Sequence, residues 1–514
     1  MIKEIDFTFF PEQLFNRKHV IKAVSAKLGL NESDVKDYKV LRKSIDARRT
    51  ARYNVRLQVI TDDSVFPEEI GKFEFKEVGN SEEVLIIGAG PAGYFAALTC
   101  ILSGLKPIVI ERGKAVEDRK KDIALLNREH ILNSNSNYSF GEGGAGTYSD
   151  GKLYTRSKKR GSVKDVLQLL HLFGADRSVL VDAHPHIGTD KLPNIMKNIR
   201  EKILSCGGEI HFNTKVESIV ISQASVKYVK CSDSKEFDAK NVVLATGHSA
   251  RDIYFMLDST GVEMQAKGFA MGVRVEHPQG LIYSIQYKRK TRGEFLPAAT
   301  YSLVQQINER GVYSFCMCPG GTIVCAATGE NEIVVNGMSN SKLNGEYANS
   351  GIVVEIRPED IEANKTSKFG GIEFQQQLER LTYQNSASVL SAPAQRLEDF
   401  VKGKISKGLP QSTYYTGLIN SPMHFWLPEN IGSRLRPAFK AFDKKMRGFL
   451  TNEALVVGVE SRTSSPVQII RDKETFESVS VKGLYPCGEG AGYAGGIVSS
   501  AIDGIQVVNR IAGK

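Results

Sequence analysis

Glycines at residues 88–93 have the spacing of a pyrophosphate-binding turn. Residues 84–93 read VLIIGAGPAG, in which an apolar strand pattern runs directly into GxGxxG and a helical pattern follows. The first glycine permits a tight turn, the second lets a phosphate approach the backbone, and the third lets the helix pack against the strand. The phosphates would face the unpaired N–H groups and the positive dipole end of that helix. The candidate binding residues of this turn are Gly88, Ala89, Gly90, Pro91, Ala92 and Gly93.

An acidic residue stands where the second half of this fingerprint requires one. A second apolar strand pattern, residues 107–110, ends at Glu111, which is 111 − 88 = 23 residues after Gly88. A carboxylate at this place accepts hydrogen bonds from ribose hydroxyls and repels a 2′-phosphate. Strand, glycines, helix, strand and acid in register predict a dinucleotide site and favour FAD or NAD over NADP. The alternative is a glycine-rich turn that binds no ligand.

Two further glycine strings do not resemble a second nucleotide-binding unit. Residues 141–146 also spell GxGxxG, but no clear buried strand precedes them and no helix pattern follows. We therefore interpret them as a loop that donates backbone N–H groups to the same ligand. The second string, GEGAGYAGGI at residues 488–497, leads into a helix pattern rich in small residues.

Several strings spread along the chain resemble the family of uncharacterised bacterial FAD-dependent dehydrogenases, which have the FAD fold of the glutathione-reductase superfamily. The resemblance covers nearly the whole chain, including its N-terminal module. The strings are KSIDAR (43–48), GGAGTYSDGKL (143–153), HIGTD (186–190), GVRVEHPQ (272–279), FCMCPGG (315–321), ESRTSSPV (460–467) and YPCGEGAGYAGGIVSSAIDG (485–504).

The resemblance implies FAD as the cofactor and assigns further residues to it. The first glycine loop would hold the pyrophosphate and Glu111 the adenosine ribose, with Arg112 following at the same strand end. Glu489 could bind the ribitol, and the N–H groups of Gly496 and Ile497 at a helix start could stabilise negative charge on the reduced flavin. The other residues expected near FAD are Gly144, Ala145, Gly146, Thr147, Val216, Ala245, Thr246, Gly247, Gly488 and Gly495.

The elements that would position these residues predict an α/β protein with a discontinuous Rossmann-type FAD-binding domain. At about 150 residues per domain, 514 residues predict about three domains. Residues 1–80 read as a small α+β module with βαββ order, ferredoxin-like in pattern. We expect residues 81–262 to form the first part of the FAD-binding domain and residues 451–514 its C-terminal part. Between them, residues 263–450 carry many short strand patterns and are predicted to form an inserted, mainly β substrate domain.

Composition excludes several classes of protein. Hydrophobic residues are 41% and charged residues 24% of the chain, which excludes wholesale disorder, collagen and coiled coils. The charge-free run at residues 84–105 is long enough to span a membrane, but its glycines and proline favour a strand followed by a helix. Seven scattered cysteines and a charged N-terminus predict reduced thiols and a cytoplasmic location.

The sequence identifies no catalytic residue, although several groups are candidates. Cys316 and Cys318, with Cys325 nearby, supply three close ligands where a zinc or iron–sulfur site uses four, so we predict no metal. The same thiols are either redox-active or buried in a hairpin. His184 and His186 could donate a proton, or His186 and Asp190 could cap the following helix. Candidates for binding an anionic substrate are Arg274, Glu276, His277 and, more strongly, Arg462.

The partner of the flavin stays open at this point. We expect a small-molecule substrate between the FAD-binding and inserted domains, and a dehydrogenase or reductase reaction. The chain has no second full GxGxxG unit, so NAD(P)H would bind without its own Rossmann domain, or a protein carrier would exchange electrons. One alternative is an RNA-modifying flavoenzyme, because residues 39–56 carry seven basic residues and one acidic residue, Asp46. A solvated strand edge protected by charge explains these basic residues better. The net charge of +9 is poor evidence for binding to nucleic acid. Another alternative is a flavin-bound assembly protein without turnover.

Overall fold

In the computed structural model, which describes residues 1–155, 161–386 and 390–514, the chain begins with a small antiparallel sheet. Strand β3 lies between β1 and β2 and runs antiparallel to both. Asn16 accepts hydrogen bonds from the N–H groups of Lys18 and His19 and so starts the helix that covers this sheet. This order is the βαββ order predicted above, whereas the ferredoxin-like comparison stays a prediction. The elements are β1 (Ile2–Phe9), α1 (Pro11–Leu14), α2 (Arg17–Leu28), β2 (Asp37–Asp46) and β3 (Arg52–Ile60).

The next segment alternates strands and helices and forms most of the parallel-sheet unit, which consists of residues 83–266 and 467–511. Its first strand is buried almost throughout, as expected for a strand with helices on both faces. The elements are β4 (Glu83–Ile87), α3 (Pro91–Ser103), β5 (Lys106–Ile110), α4 (Val116–Glu129), α5 (Val163–Leu172), α6 (Ser178–Val181), α7 (Leu192–Ser205), β6 (Glu209–His211), β7 (Val216–Ser222), β8 (Ser225–Cys231), β9 (Glu236–Asp238), β10 (Val242–Leu244), α8 (Arg251–Ser259) and β11 (Met264–Ala266). Strands β7, β8 and β9 form their own antiparallel sheet.

A second body follows, which we call the large-sheet body and which consists of residues 269–460. Its elements are β12 (Phe269–Pro278), α9 (Gln279–Tyr287), β13 (Val304–Ile307), β14 (Arg310–Cys318), β15 (Thr322–Cys325), β16 (Val335–Met338), β17 (Tyr347–Ile356), α10 (Gly370–Gln384), β18 (Ala392–Arg396), α11 (Leu397–Lys402), β19 (Leu418–Asn420), α12 (Met423–Trp426), α13 (Glu429–Lys445) and β20 (Leu455–Glu460). The large sheet has the order β13-β14-β17-β12-β20-β18-β19. Aromatic side chains from α11, α13 and the loop after α13, namely Phe400, Phe439, Phe442 and Phe449, pack in its core.

The large sheet extends past the boundary predicted at residue 450. Strand β20 pairs with β12, with Glu460 opposite Gly272, and it also pairs with β18. A division between residues 450 and 451 would separate β20 from the sheet that contains it. The pattern along the sequence does not reveal this, because the paired strands are far apart in the chain.

The chain then returns to the first α/β unit through β21 (Val467–Ile469), β22 (Leu484–Pro486) and α14 (Ile497–Ile511). The parallel sheet has the order β22-β10-β4-β5-β6, so the last strand of the chain pairs beside β10. Helices α3 and α14 pack closely, because a Cβ atom on Gly504 would lie 2.2 Å from the carbonyl oxygen of Ala92. Across the described residues, no helix combines the length and the apolar composition needed to cross a membrane.

The N-terminal module contacts both larger units. The hydroxyl of Tyr53 donates to the carbonyl of Phe295 at 2.8 Å, and the Phe15 and Phe295 rings stack at 5.5 Å. On the other side, Lys43 pairs with Asp182 at 3.1 Å. The basic segment at residues 39–56 thus contributes to contacts between the N-terminal module and the rest of the chain. Any wider role for this segment stays a prediction.

Candidate functional site

Three glycine-bearing segments meet at the carboxyl end of the parallel sheet. The N–H of Gly143 donates to the carbonyl of Ala89 at 2.8 Å. A Cβ atom on Gly144 would lie 3.1 Å from the Cα of Gly90, and one on Gly146 would lie 3.2 Å from the Ile497 side chain. The turn after β4, the 3-10 turn at Gly144–Gly146 and the start of α14 therefore border one place. Sequence analysis assigned these segments to one site, but it did not predict the contacts between them.

Two of the glycines are required by the packing of the protein itself. Gly88 has φ +107°, and a Cβ atom there would lie 2.4 Å from the carbonyl oxygen of Ala245. A Cβ atom on Gly93 would lie 1.8 Å from the carbonyl oxygen of Gly88. These contacts bring β10, the first turn and α3 together, as the tight turn and the close helix–strand approach require.

Other glycines of the site border open space. A Cβ atom on Gly90 would meet its nearest neighbour only at 3.9 Å, and none of the described atoms lies within 4 Å of one on Gly247, Gly495 or Gly496. Gly247 and Gly496 have φ values of +69° and +144°, so glycine is also favoured there by the backbone. The absent side chains thus leave a cradle lined by backbone.

Two helices begin at this cradle. Gly90 precedes α3 and Gly496 precedes α14, and neither residue has a side chain that could cap the first N–H groups. The unpaired N–H groups and the positive dipole ends form two sites suited to anionic oxygens. The diphosphate of a dinucleotide and the pyrimidine edge of a flavin match these sites, so the residues present fit FAD.

Glu111 fastens the backbone around the cradle. Its carboxylate accepts hydrogen bonds from the N–H groups of Ala89 at 2.9 Å, Gly113 at 2.9 Å and Gly141 at 3.0 Å. An ionised carboxylate has about four acceptor positions, so one is left for another donor. Its predicted bond to a ribose hydroxyl stays a prediction, and the structure adds a role in joining the two glycine turns.

Three other predicted cofactor residues have partners within the protein. The guanidinium of Arg112 donates to Asp252 at 2.8 Å and lies 4.6 Å from the centre of the Phe140 ring. The hydroxyl of Thr147 donates to a backbone carbonyl at 3.2 Å, and Val216 is buried at the start of β7. Their assignment to FAD stays a prediction.

Glu489 and His248 form an ionisable pair beside the cradle. The Nδ1 of His248 lies 3.5 Å from Oε1 of Glu489, and its Nε2 lies 3.1 Å from the carbonyl oxygen of Arg462. Burial raises the pKa of Glu489 to about 7, against the opposing charge of Lys267. Burial also lowers the pKa of His248 to about 4. Glu489 can therefore hold or release a proton near neutral pH, next to a neutral imidazole.

Sequence reasoning missed His248, although it directly follows the ATG string at residues 245–247. It also missed Asp503, which holds the C-terminal glycine turn. Asp503 accepts the N–H of Gly488 at 2.7 Å and pairs with Arg471 at 2.6 Å, with all three residues buried. An acid within the small-residue helix pattern was the only signal for it in the sequence.

The prediction that Arg462 binds an anionic substrate is wrong, because its guanidinium is already neutralised inside the protein. It pairs with Glu379 at 2.8 Å and with Glu332 at 3.0 Å, and it donates to Thr328 at 2.6 Å. Arg251 of α8 pairs with the same Glu379 at 2.8 Å. The arginine–glutamate cluster (Arg251, Glu332, Glu379 and Arg462) thus ties α8 to α10 and to the end of β20.

The remaining candidates lie mostly in structural contacts. Asp190 does not cap α7, which begins at Leu192; it accepts hydrogen bonds from the N–H and hydroxyl of Ser341. Arg274 pairs with Glu460 at 2.8 Å, Glu276 accepts from the N–H of Thr413, and His277 bonds to the carbonyl of Phe449 at 2.8 Å. Within the described residues, no group of three or more His, Cys, Asp or Glu side chains could hold a metal ion.

Comparison with known sequences gives two family matches and one close relative. Residues 268–463 match a family model described as "FAD-dependent protein, C-terminal domain-like", and residues 1–60 match a domain of unknown function. A protein of Clostridium beijerinckii, named only "Uncharacterized protein", is 40% identical over 513 residues, which are 96% of this chain and 95% of the relative.

Solved structures show only distant similarity. CtdE in complex with FAD and a substrate is 12% identical with a TM-score of 0.35, over 84% of this chain and 80% of CtdE. A geranylgeranyl bacteriochlorophyll reductase-like protein of Thermoplasma acidophilum is 12% identical with a TM-score of 0.34, over 83% and 77% of the two chains. A flavocytochrome c3 fumarate reductase is 14% identical with a TM-score of 0.31, over 85% and 78%. Similarity at this level supports no inference about the activity of this chain.

Proposed function

We propose that this chain, which belongs to the family of FAD-dependent proteins represented by the Clostridium beijerinckii relative, is an oxidoreductase that moves electrons between FAD and a small substrate. FAD is its cofactor. The observation that carries the proposal is the backbone-lined cradle at Gly90, Gly247, Gly495 and Gly496, on which two uncapped helix starts converge. When bound, FAD supplies the transfer of a hydride or of single electrons.

Different residues of the cradle would bind FAD and stabilise its reduced form. The N–H groups at the start of α3 would bind the phosphates, and those at the start of α14 would stabilise negative charge on the reduced flavin ring. Glu111 keeps the two glycine turns in contact, and Asp503 keeps the C-terminal turn in place. Glu489, with its pKa near 7, can hold the proton that accompanies electron transfer.

We place the substrate between the parallel-sheet unit and the large sheet. The loop that leaves the Gly144–Gly146 turn contacts the large-sheet body directly, because Ser339 donates to Asp150 at 2.5 Å. A junction between two domains is a common place for a small-molecule site. The loop therefore joins the cradle to the junction in which we expect the substrate.

The substitution Gly90→Glu tests the cofactor site. The new carboxylate would occupy the open space beside Gly90 and repel the phosphates at the start of α3, so we expect folded protein without flavin colour. Gly408→Glu is the matched control, because Gly408 also has open space around it but lies in the large-sheet body. Circular dichroism reports folding of the whole chain, including the unit that contains Gly90, and fluorescence of Trp426, the only tryptophan, reports folding of the large-sheet body. Stoichiometric FAD in purified Gly90→Glu protein would contradict the proposed site.

An anaerobic titration with NADH and then NADPH tests the electron partner. Bleaching of the flavin absorbance band by either nucleotide would identify a nicotinamide-driven reductase. Absence of bleaching by both would instead assign reduction of the flavin to the substrate or to a carrier protein. A flavin that no cell extract reduces would contradict an oxidoreductase altogether.

A further inference from the structure

Cys316 lies in a bulge of strand β14, and Cys318 is the first paired residue after that bulge. Phe315 is opposite Gly351 and Cys318 is opposite Asn349, so two residues of β14 face one residue of β17. Cys316 has a φ of +46°, a backbone conformation that residues other than glycine rarely adopt. Bulges and strained residues persist only where surrounding contacts hold them, and they are concentrated at functional sites.

The side chain of Arg274 reaches this bulge from strand β12, which is separated from β14 by β17. Its guanidinium donates to the carbonyl of Cys316 at 3.3 Å, and its Nη1 lies 3.9 Å from the Sγ of Cys318. The Nε on its other side donates to Glu460 at 2.8 Å. Arg274 is fully buried, so its charge acts on the thiols with little screening by water.

A second cation reaches the bulge from the parallel-sheet unit. The ammonium of Lys152 donates to the carbonyl of Met317, between the two cysteines, and pairs with the buried Asp150 at 2.7 Å. Lys152 follows the Gly144–Gly146 turn of the cradle by only six residues. The titratable and charged groups that act on the thiols are Lys152, Asp150, Arg274 and Tyr301. His186 lies beside Asp150 and Lys152, and Glu460 pairs with Arg274.

This environment makes the two thiols unequal. The hydrogen bond from Cys318, together with the charges of Lys152 and Arg274, lowers the pKa of Cys316 to about 7 in spite of burial and the charge of Asp150. Burial raises the pKa of Cys318. Cys316 is also half-buried, whereas Cys318 is fully buried and its Sγ lies 3.2 Å from the carbonyl oxygen of Cys316. Cys316 thus has a half-buried thiol of lowered pKa, and the Cys318 thiol lies against its backbone carbonyl.

We propose that Cys316 and Cys318 form a thiol–disulfide exchange site that reduces a small disulfide at the junction of the two large units. The Cys316 thiolate attacks one sulfur of the disulfide, forms a mixed disulfide and expels the first thiolate. Cys318 then loses its proton and attacks the Sγ of Cys316, which closes a Cys316–Cys318 disulfide and expels the second thiolate. The substrate gains two electrons and the cysteine pair loses them. This exchange is independent of the flavin and goes beyond the proposed function.

The test is an anaerobic reaction of the holoprotein with 5,5′-dithiobis(2-nitrobenzoic acid), whose released thiolate is coloured. We expect two thiolates per chain and no label retained, since the other five cysteines are buried. Cys318→Ser should release one thiolate and keep one label as a stable mixed disulfide, and Cys316→Ser should release none in the same time. Cys325→Ser, which removes a buried cysteine outside the bulge, should behave as the unaltered chain. Retention of the label by the unaltered chain, or an unchanged reaction of Cys316→Ser, would overturn the proposal.

A second measurement keeps the proposal testable if the cysteine variants do not fold. The rate of Cys316 modification by iodoacetamide, followed by peptide mass spectrometry of the unaltered holoprotein, should rise with a midpoint near pH 7. Lys152→Met should move that midpoint upward, because one of the two cations that stabilise the thiolate is lost. A midpoint near the ordinary thiol pKa of about 8.5 in the unaltered chain would overturn the proposal.

Discussion

Replacement of Glu379 by glutamine should uncouple the two large units of the chain. Glu379 is fully buried and accepts hydrogen bonds from Arg251, Arg462 and the hydroxyl of Ser461. Glutamine keeps the shape of the side chain but removes its charge. Two buried guanidinium groups would then share a single carboxylate, that of Glu332.

The geometry sets the size of the effect. Removal of one partner from a buried ion pair costs about 3–5 kcal/mol. Glu332 still lies 3.0 Å from Arg462 and 3.6 Å from Arg251, so one positive charge is left uncompensated rather than two. We therefore expect the lower end of the range, about 3 kcal/mol of unfolding free energy at neutral pH.

The pH dependence gives an independent check. The charges of Arg462 and Arg251 hold the pKa of Glu379 well below its usual range in the folded chain, in spite of burial. A depressed folded pKa stabilises the protein above the unfolded pKa, and that stabilisation is lost as the pH falls through the folded value. The difference between the unaltered chain and Glu379→Gln should therefore shrink steadily on acidification below about pH 5.

Two probes can follow the two units separately during denaturation. Fluorescence of released FAD reports the parallel-sheet unit, and Trp426 of α12 reports the large-sheet body. We expect coincident transitions in the unaltered chain and separated transitions in Glu379→Gln, because the cluster joins α8 to α10 and β20. Glu362→Gln is the matched control, since Glu362 is an exposed residue that pairs with the exposed Lys365, and its replacement should change stability by less than about 0.5 kcal/mol. Equal stability of the two variants, or a difference that does not vary with pH, would refute the reasoning.

Two other substitutions test how α14 forms the site. Gly504→Ala should destabilise the chain by about 1–3 kcal/mol and weaken FAD binding, because the new methyl group would meet the Ala92 carbonyl at 2.2 Å; calorimetry should show no such change for Gly408→Ala, which has open space around it. Asp503→Asn should raise the FAD dissociation constant measured by flavin fluorescence, since Arg471 loses its charge partner and the turn at Gly488 loses a strong acceptor. An unchanged dissociation constant would show that the turn holds its shape without Asp503.

The sequence predicted the parts of the site that depend on neighbouring residues. The turn at Gly88–Gly93 was predictable because β4, the turn and α3 follow one another directly in the chain. The βαββ order of the N-terminal module was also predictable, because its elements follow one another in residues 1–80. The second GxGxxG string was interpreted as a loop because it lacks a flanking strand and helix, and the structure has a 3-10 turn there.

The parts that sequence reasoning missed depend on contacts between distant segments. Strand β20 belongs to the large sheet because it pairs with β18 and with β12, which lies nearly two hundred residues earlier. Arg462 looks free in the sequence, yet its charge is neutralised by Glu379 and Glu332 from other elements. The lowered pKa of Cys316 arises first from its hydrogen bond with Cys318, but also from the charges of Lys152 and Arg274, which no local pattern brings near it.

The discontinuous parallel sheet also has a consequence for biosynthesis. Gly88 and Gly488, which both border the flavin cradle, are 488 − 88 = 400 residues apart. At about 5–20 residues per second, a ribosome needs about 20–80 s to make the chain between them. Until β22 emerges, the outer edge of β10 has no partner strand and presents its backbone groups for pairing with another chain. That edge therefore stays open to pairing throughout this interval, and the flavin site is complete only after the last strand has joined the sheet.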